Sequence, residues 1–212
     1  MIVKFKNVLV LAPHRDDGEF GCGGTIAKLI ENGANVFYAA FSIADKSSGK
    51  NFSKEMLKEE LRKACAVLGI SSDRLLIFNY EVRKLNYVRQ EILDELIGLR
   101  KKIKFDLILM PSLNDIHQDH AVVAKEGLRA FKDNTILSYE LVWNNLTFNT
   151  QLFVKLDKRL IQKKVKAISK YKSQGSRHYM SGEFILSLAK ARGTQVGLEY
   201  AETFEVVRWL IE

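Results

Sequence analysis

The sequence predicts an α/β fold with a mainly parallel sheet and helices on both faces. Three observations predict it. Short apolar runs rich in β-branched and aromatic residues recur at 8–12, 35–42, 74–78, 105–111 and 135–143, each the length of a strand. Between them lie stretches whose apolar residues repeat at helical spacing. Strand and helix therefore alternate, as parallel strands joined by crossover helices require. The 212 residues, 47% hydrophobic, suit one domain over 1–212 with a sizeable core. No linker, repeat or low-complexity segment divides the chain.

The run at 8–12 ends at Pro13. Gly21, Gly23 and Gly24 let the backbone turn into a helix over 23–32, stopped by Gly33. They do not make a dinucleotide fingerprint, which needs two residues before its third Gly. After the strand at 35–42, the polar stretch 43–52 is a surface loop long enough to reach a substrate. Ser53 can cap a helix whose apolar face is Leu57, Leu61, Ala64, Cys65 and Leu68, with Gly69 ending it. The loop 79–84 follows the third strand. Arg83 in it is placed to meet an anionic or hydroxyl-rich substrate, or is simply solvated. Val88, Ile92, Leu93, Leu96 and Leu99 mark the next helix.

That helix feeds the strand at 105–111. A helix over 120–131 and a strand over 135–143 follow, bringing Trp143 near the strand ends. Residues 151–156 read as a short edge strand. The run 158–172 is strongly basic, with Leu160, Ile161, Val165 and Ile168 at helical spacing. It reads as an amphipathic helix with a solvated basic face rather than a nucleic-acid patch, since no interleaved aromatics support the latter. A helix over 182–192 precedes a closing strand over 204–211.

Two loops concentrate the chemistry. After the first strand, His14, Asp16 and Asp17 fall within four residues. Adjacent carboxylates beside a His repel one another, and folds tolerate this when a cation or a catalytic task offsets it. The competing reading is that Asp17 caps the next helix. After the strand at 105–111 come Asp115, His117, Asp119 and His120. Three of the chain's four histidines thus sit in two loops that follow strands. Such loops form the ligand crevice of an open α/β sheet. His14, Asp17 and one later histidine would make a three-ligand metal site with open positions, the form expected of a catalytic centre. Asp16 would then be free for proton transfer.

The stretch from Pro13 to Thr25, Pro-His-Arg-Asp-Asp-Gly-Glu-Phe-Gly-Cys-Gly-Gly-Thr, resembles the His-Pro-Asp-Asp signature of the LmbE-like, or PIG-L, family of zinc-dependent N-deacetylases. His117-Gln-Asp-His120 resembles that family's His-x-Asp-His motif, and residues 192–204 resemble its closing segment. Arg15 stands where the family usually has Pro. Asp115 stands where some sugar-deacetylating members carry a Tyr thought to help bind the oxyanion. The resemblance implies a Rossmann-like three-layer sandwich. It implies one Zn2+, or another divalent metal such as Fe2+, held by His14, Asp17 and His120. It also implies an N-acetylated amino sugar or nucleotide sugar as substrate. On this basis Asp16 is the general base. His117, if protonated, faces the oxyanion, and Asp119 hydrogen-bonds His117 and favours its charged form. Arg15, Arg83 and Trp143 are the candidate substrate contacts.

The net charge of +8 favours anionic partners without choosing among them. No apolar run approaches the roughly 20 residues of a membrane span. The N-terminus leaves no room for a signal peptide, and Cys22 and Cys65 form no disulfide framework, so a cytoplasmic chain with reduced thiols is expected. Association into homo-oligomers stays open. Three other functions compete: hydrolysis of another bond such as a phosphoester, a non-heme iron oxygenase, for which two His and a carboxylate also suit, and a non-catalytic metal-binding module.

Overall fold

Alternate residues of the first strand face opposite ways. Val8, Val10 and Ala12 join one apolar core, and Leu9 and Leu11 join another. This is the two-residue period of a strand buried on both faces. In the computed structural model, residues 5–47, 51–175 and 177–211 are described. Among these residues the strands are β1 (Asn7–His14), β2 (Asn35–Ser42), β3 (Leu75–Ile77), β4 (Leu107–Pro111), β5 (Thr135–Tyr139), β6 (Leu152–Leu156) and β7 (Tyr200–Arg208). The α-helices among them are α1 (Asp17–Glu31), α2 (Lys54–Leu68), α3 (Arg89–Lys102), α4 (Gln118–Ala130), α5 (Lys158–Ile168) and α6 (Gly182–Thr194).

One sheet runs in the order β3-β2-β1-β4-β5-β7-β6. The first five strands in that order pair in parallel, and β7 runs antiparallel to both β5 and β6. α1, α2, α5 and α6 cover one face, while α3 and α4 cover the other. The three-layer α/β sandwich is thus as the alternation predicts. The chain leaves β1 for β2 on one side and returns from β3 to β4 on the other. The loops after β1 and β4 therefore part at the carboxyl edge of the sheet, where open α/β sheets hold their ligands.

Several boundaries differ from expectation. α1 starts at Asp17, ahead of the glycines, and breaks at Cys22 (φ −146°, ψ 25°). A break strands helix N–H and C=O groups that must find other partners. Lys164 Nζ donates to the Phe20 carbonyl (2.6 Å), and the Glu202 carboxylate accepts from the N–H groups of Gly24 (2.9 Å) and Thr25 (2.6 Å). Lys164 and Glu202 also pair with each other at 2.7 Å. Lys164 is therefore buried against α1 instead of lying on a solvated basic face. Gly21 is explained by close approach, since a Cβ there would lie 2.1 Å from Tyr139 Cδ2. β5 stops at Tyr139, so Trp143 lies in the turn beyond it, and β7 begins at Tyr200, four residues before the predicted start. Of the predicted loop 43–52, residues 48–50 lie outside the described residues. Ser53 caps α2 as expected, its Oγ accepting the Met56 N–H at 3.3 Å. Both cysteines are free and buried. Among the described residues no helix is long and apolar enough to cross a membrane.

Candidate metal centre

His14 ends β1, Asp17 opens α1 and His120 lies in the first turn of α4. Three of their atoms form a nearly equilateral triangle. His14 Nδ1 lies 3.2 Å from Asp17 Oδ2, His120 Nε2 lies 3.2 Å from the same oxygen, and the two nitrogens lie 3.1 Å apart. Donors about 2.0–2.1 Å from a tetrahedral zinc lie roughly 3.3–3.4 Å from one another. The triangle therefore fits one small divalent cation with little adjustment. The three imidazoles of His14, His117 and His120 also come within 4.8 Å of one another. That set is looser and lacks the anionic donor.

A carboxylate lies behind each of these two imidazoles. His14 Nε2 meets Asp119 Oδ2 at 3.0 Å, and His120 Nδ1 meets Asp115 Oδ2 at 2.7 Å. Such partners hold the proton on the far ring nitrogen and leave the near one as a lone-pair donor. Asp119 is itself fixed by the N–H groups of Arg83 (2.6 Å) and Leu85 (3.2 Å), which converge on it because Arg83 takes a left-handed backbone conformation (φ 68°). Asp119 was expected to serve His117. Its carboxylate serves His14 instead, and the His117 ring accepts the Asp119 backbone N–H at Nδ1 (3.2 Å). A proton on a neutral His117 ring then sits on Nε2.

Electrostatics agree with a cation site. Burial disfavours charge on His120, but Asp17 and Asp115 outweigh it and carry the ring up to about 10. Burial would raise the Asp17 carboxyl, yet His120 and His14 hold it far below the ordinary range. Asp16 goes the other way. Burial and the neighbouring Asp17 raise it, against Arg15, His14 and Arg177. Burial, with the His120 and His14 rings, pushes His117 down to about 4, so it is neutral near pH 7. Asp16 occupies the N-cap position of α1 but makes no side-chain cap bond. Its carboxylate lines the cavity beside the triangle.

That cavity measures about 170 Å³ and takes in Arg83, His117, Trp143, Asn144, Arg177 and Tyr179 around the three donors. Arg83 and Trp143, two of the candidate substrate contacts, line this cavity. Arg15, the third, does not line it: it is fully buried, with Nη1 donating to the Ile43 carbonyl and Nη2 to Ser173 Oγ (2.9 Å), so it braces the loop instead of facing the cavity. The hydroxyls of Tyr38 and Tyr171 lie 3.1 and 2.8 Å from the Arg15 carbonyl and also meet the Glu19 carboxyl. Two hydroxyl protons cannot fill four contacts. A proton on Glu19 supplies a third, consistent with burial pushing that carboxyl to about 8. Asp115 against His120, and Arg177 and Tyr179 on the cavity wall, are placed at the site by the structure and were not among the candidate site residues. Asp115 sits inside the quoted loop, where its spacing from His120 was a usable signal. Arg177 and Tyr179 lie in a stretch that only tertiary packing brings to the site.

The supporting carboxylates can be tested directly. If the triangle holds a divalent metal, Asp115→Asn and Asp119→Asn should each weaken its affinity by about 10–100-fold, read by competition with a chelating dye. Unchanged affinity in both would mean that neither carboxylate orients its imidazole.

Comparison with known proteins places this geometry. The chain is 28% identical over 176 residues to the uncharacterized deacetylase YaiS of Escherichia coli K12, covering 80% of this chain and 92% of that protein. Its fold is that of the N,N'-diacetylchitobiose deacetylase of Pyrococcus horikoshii, with a TM-score of 0.78 at 23% identity over 96% of this chain and 84% of the other. The 4-carboxy-2-hydroxymuconate hydratase GalB of Pseudomonas putida KT2440 shares the fold too, with a TM-score of 0.77 at 17% identity over 98% of each chain. Fold alone therefore does not select the reaction. The family model of PIG-L, GlcNAc-PI de-N-acetylase, matches residues 9–131, which hold both motifs and all three donors of the triangle, and the chain belongs to that family.

Proposed function

We propose that this protein is a zinc-dependent N-deacetylase that removes the acetyl group from an N-acetylated amino sugar or its conjugate. The observation that carries the reading is the triangle of His14 Nδ1, Asp17 Oδ2 and His120 Nε2, with the unengaged Asp16 carboxylate beside it. Family membership supports the amide bond as target. The diacetylchitobiose deacetylase of the same fold supports an amino sugar.

A zinc ion held by those three atoms supplies Lewis acidity, lowering the pKa of water from about 16 towards 7 and polarising a carbonyl oxygen. Asp16 takes the proton from the attacking water and returns it to the nitrogen as the C–N bond breaks, giving acetate and a free amine. His117 donates Nε2–H to the oxygen that gains charge. It does so as a neutral ring, because the Asp119 N–H occupies Nδ1. Asp119 and Asp115 hold the two ligand imidazoles in place. Arg83 and Trp143 contact the sugar. The cytoplasm is the proposed compartment.

The test is acetate release. The zinc-loaded protein should free acetate and primary amine in equal amounts from at least one of a panel of N-acetylglucosamine glycosides. A protein that carries zinc and releases neither from any of them is not an amino-sugar deacetylase. Hydration of an unsaturated acid by the same sample would assign it the hydratase chemistry found on this fold.

A further inference from the structure

Several polar groups on the cavity wall already have partners. Asn144 Nδ2 lies 3.4 Å from His120 Nδ1, the Tyr179 hydroxyl accepts from Arg177, and Ser47 Oγ donates to the Ala44 carbonyl at 3.1 Å. Gln174 is different. It lines the same cavity and is only 7% exposed, yet its side-chain amide bonds to no other residue among those described. Its backbone is engaged, the N–H donating to the Tyr171 carbonyl (3.0 Å) and the carbonyl accepting from the Arg177 N–H (3.1 Å). An amide side chain carries two donors and an acceptor, and leaving them unmet in a buried place costs free energy. A native fold keeps such a group where water or a ligand satisfies it.

Gln174 is also tied to the metal loop. It ends a 3₁₀ turn, Lys172–Gln174, whose middle residue, Ser173, is gripped from two sides. The Ser173 N–H and hydroxyl donate to the two Glu60 carboxylate oxygens at 2.9 and 2.5 Å, and its Oγ accepts from Arg15 Nη2 at 2.9 Å. The Tyr171 hydroxyl meets the Arg15 carbonyl at 2.8 Å. Arg15 stands between His14 and Asp16 in the chain, so segment 171–174 and the metal loop form one frame. The Gln174 amide is thereby held at a set place relative to the donor triangle. A group fixed in that way can read the shape of a molecule reacting at the triangle. The chemistry it suits is a neutral group that both donates and accepts, which is a hydroxyl. Two neighbouring ring hydroxyls of a sugar match both ends of the amide.

We propose that Gln174 is a specificity residue that hydrogen-bonds one ring hydroxyl, or two neighbouring ones, of the sugar whose acetamide lies at the metal triangle. This rests on the deacetylase reading for the identity of the reacting group. The amide donates from Nε2 to a hydroxyl oxygen and accepts at Oε1 from a hydroxyl proton. A sugar without that hydroxyl leaves part of the amide unmet, which is how a site built for a hydroxyl rejects an analogue that lacks it.

The experiment uses the zinc-loaded full chain. Methyl N-acetylglucosaminide and its 3-deoxy, 4-deoxy and 6-deoxy analogues are titrated by calorimetry and assayed in parallel for acetate release. The 3-deoxy or the 4-deoxy analogue, or both, should bind at least about tenfold more weakly than the parent, the scale of one lost hydrogen bond. Gln174→Met keeps the length of the side chain without its hydrogen bonds, and Gln174→Ala empties the space. In both variants that ratio should fall towards one, while the 6-deoxy ratio stays as it is in the wild type. Wild-type ratios near one for both ring hydroxyls overturn the proposal. So does a ratio that persists in Gln174→Met, because the amide is then not what reads the hydroxyl. Failure of both variants to fold overturns it too, since an amide without a protein partner is not needed for the fold. A Gln174-dependent hydroxyl preference without acetate release would leave this subsite standing and remove the deacetylase reading. Acetate release without the preference would do the reverse.

Discussion

Asp16→Asn should fold normally and keep its zinc while deacetylation falls by at least about a hundredfold, the scale of a lost general base. The substitution conserves size and much of the hydrogen-bonding capacity but removes the basic carboxylate. Asp16 makes no cap bond to α1 and is not a corner of the donor triangle, so neither the helix nor the metal needs its charge. Asp17→Asn should behave differently, losing metal first and activity as a consequence, with partial recovery on added zinc. The acidic limb of the pH–rate profile reports a group that must lose its proton, so activity rises with pH through it. That limb should vanish or move in Asp16→Asn. Near-normal turnover of Asp16→Asn on a true substrate would end its assignment as base. Loss of zinc there, with retention in Asp17→Asn, would exchange the two roles.

His120→Ala should strip the protein of most of its zinc, whereas His117→Ala should keep it. Wild-type protein should carry close to one zinc per chain by elemental analysis after gel filtration. Removing His120 opens the triangle, whose nitrogen and oxygen edges measure 3.1 to 3.2 Å. His117 lies outside it, with Nδ1 engaged by a backbone N–H. Its loss should cost turnover, by about 10²–10³ if it donates to the oxyanion, and leave the metal in place. If His117→Ala lost zinc and His120→Ala kept it, the three-imidazole group would be the true ligand set. The pair of variants separates the two sets without needing the substrate.

Much of the fold is legible in local pattern. The apolar run of β1, the Ser53 cap and the Gly69 stop of α2, and the edge strand β6 all follow from residue type and spacing. The α1 boundary was misjudged because glycines usually mark turns. Here Gly21 answers to Tyr139, which is over a hundred residues away in the chain and presses against it. The buried Lys164 was hidden for a similar reason. Its partner Glu202 and the broken turn at Cys22 come from distant segments.

By itself the sequence determined that strands and helices alternate, and that three histidines and their neighbouring carboxylates follow two of the strands. Both are properties of local spacing, and the parallel sheet then brings those loops to one edge. Only the tertiary structure decided which atoms meet. It gave Asp119 to His14 and Asp115 to His120, buried Arg15 in a brace against Ile43 and Ser173, and set Arg177 and Tyr179 beside Trp143. Those choices turn on distances of about 3 Å between side chains, most of them far apart in sequence although Asp115 and His120 share one loop, and a hydrogen bond weakens steeply outside that range. Residue spacing along a chain cannot resolve such distances; those between the two loops exist only once both are held over the same edge of the sheet.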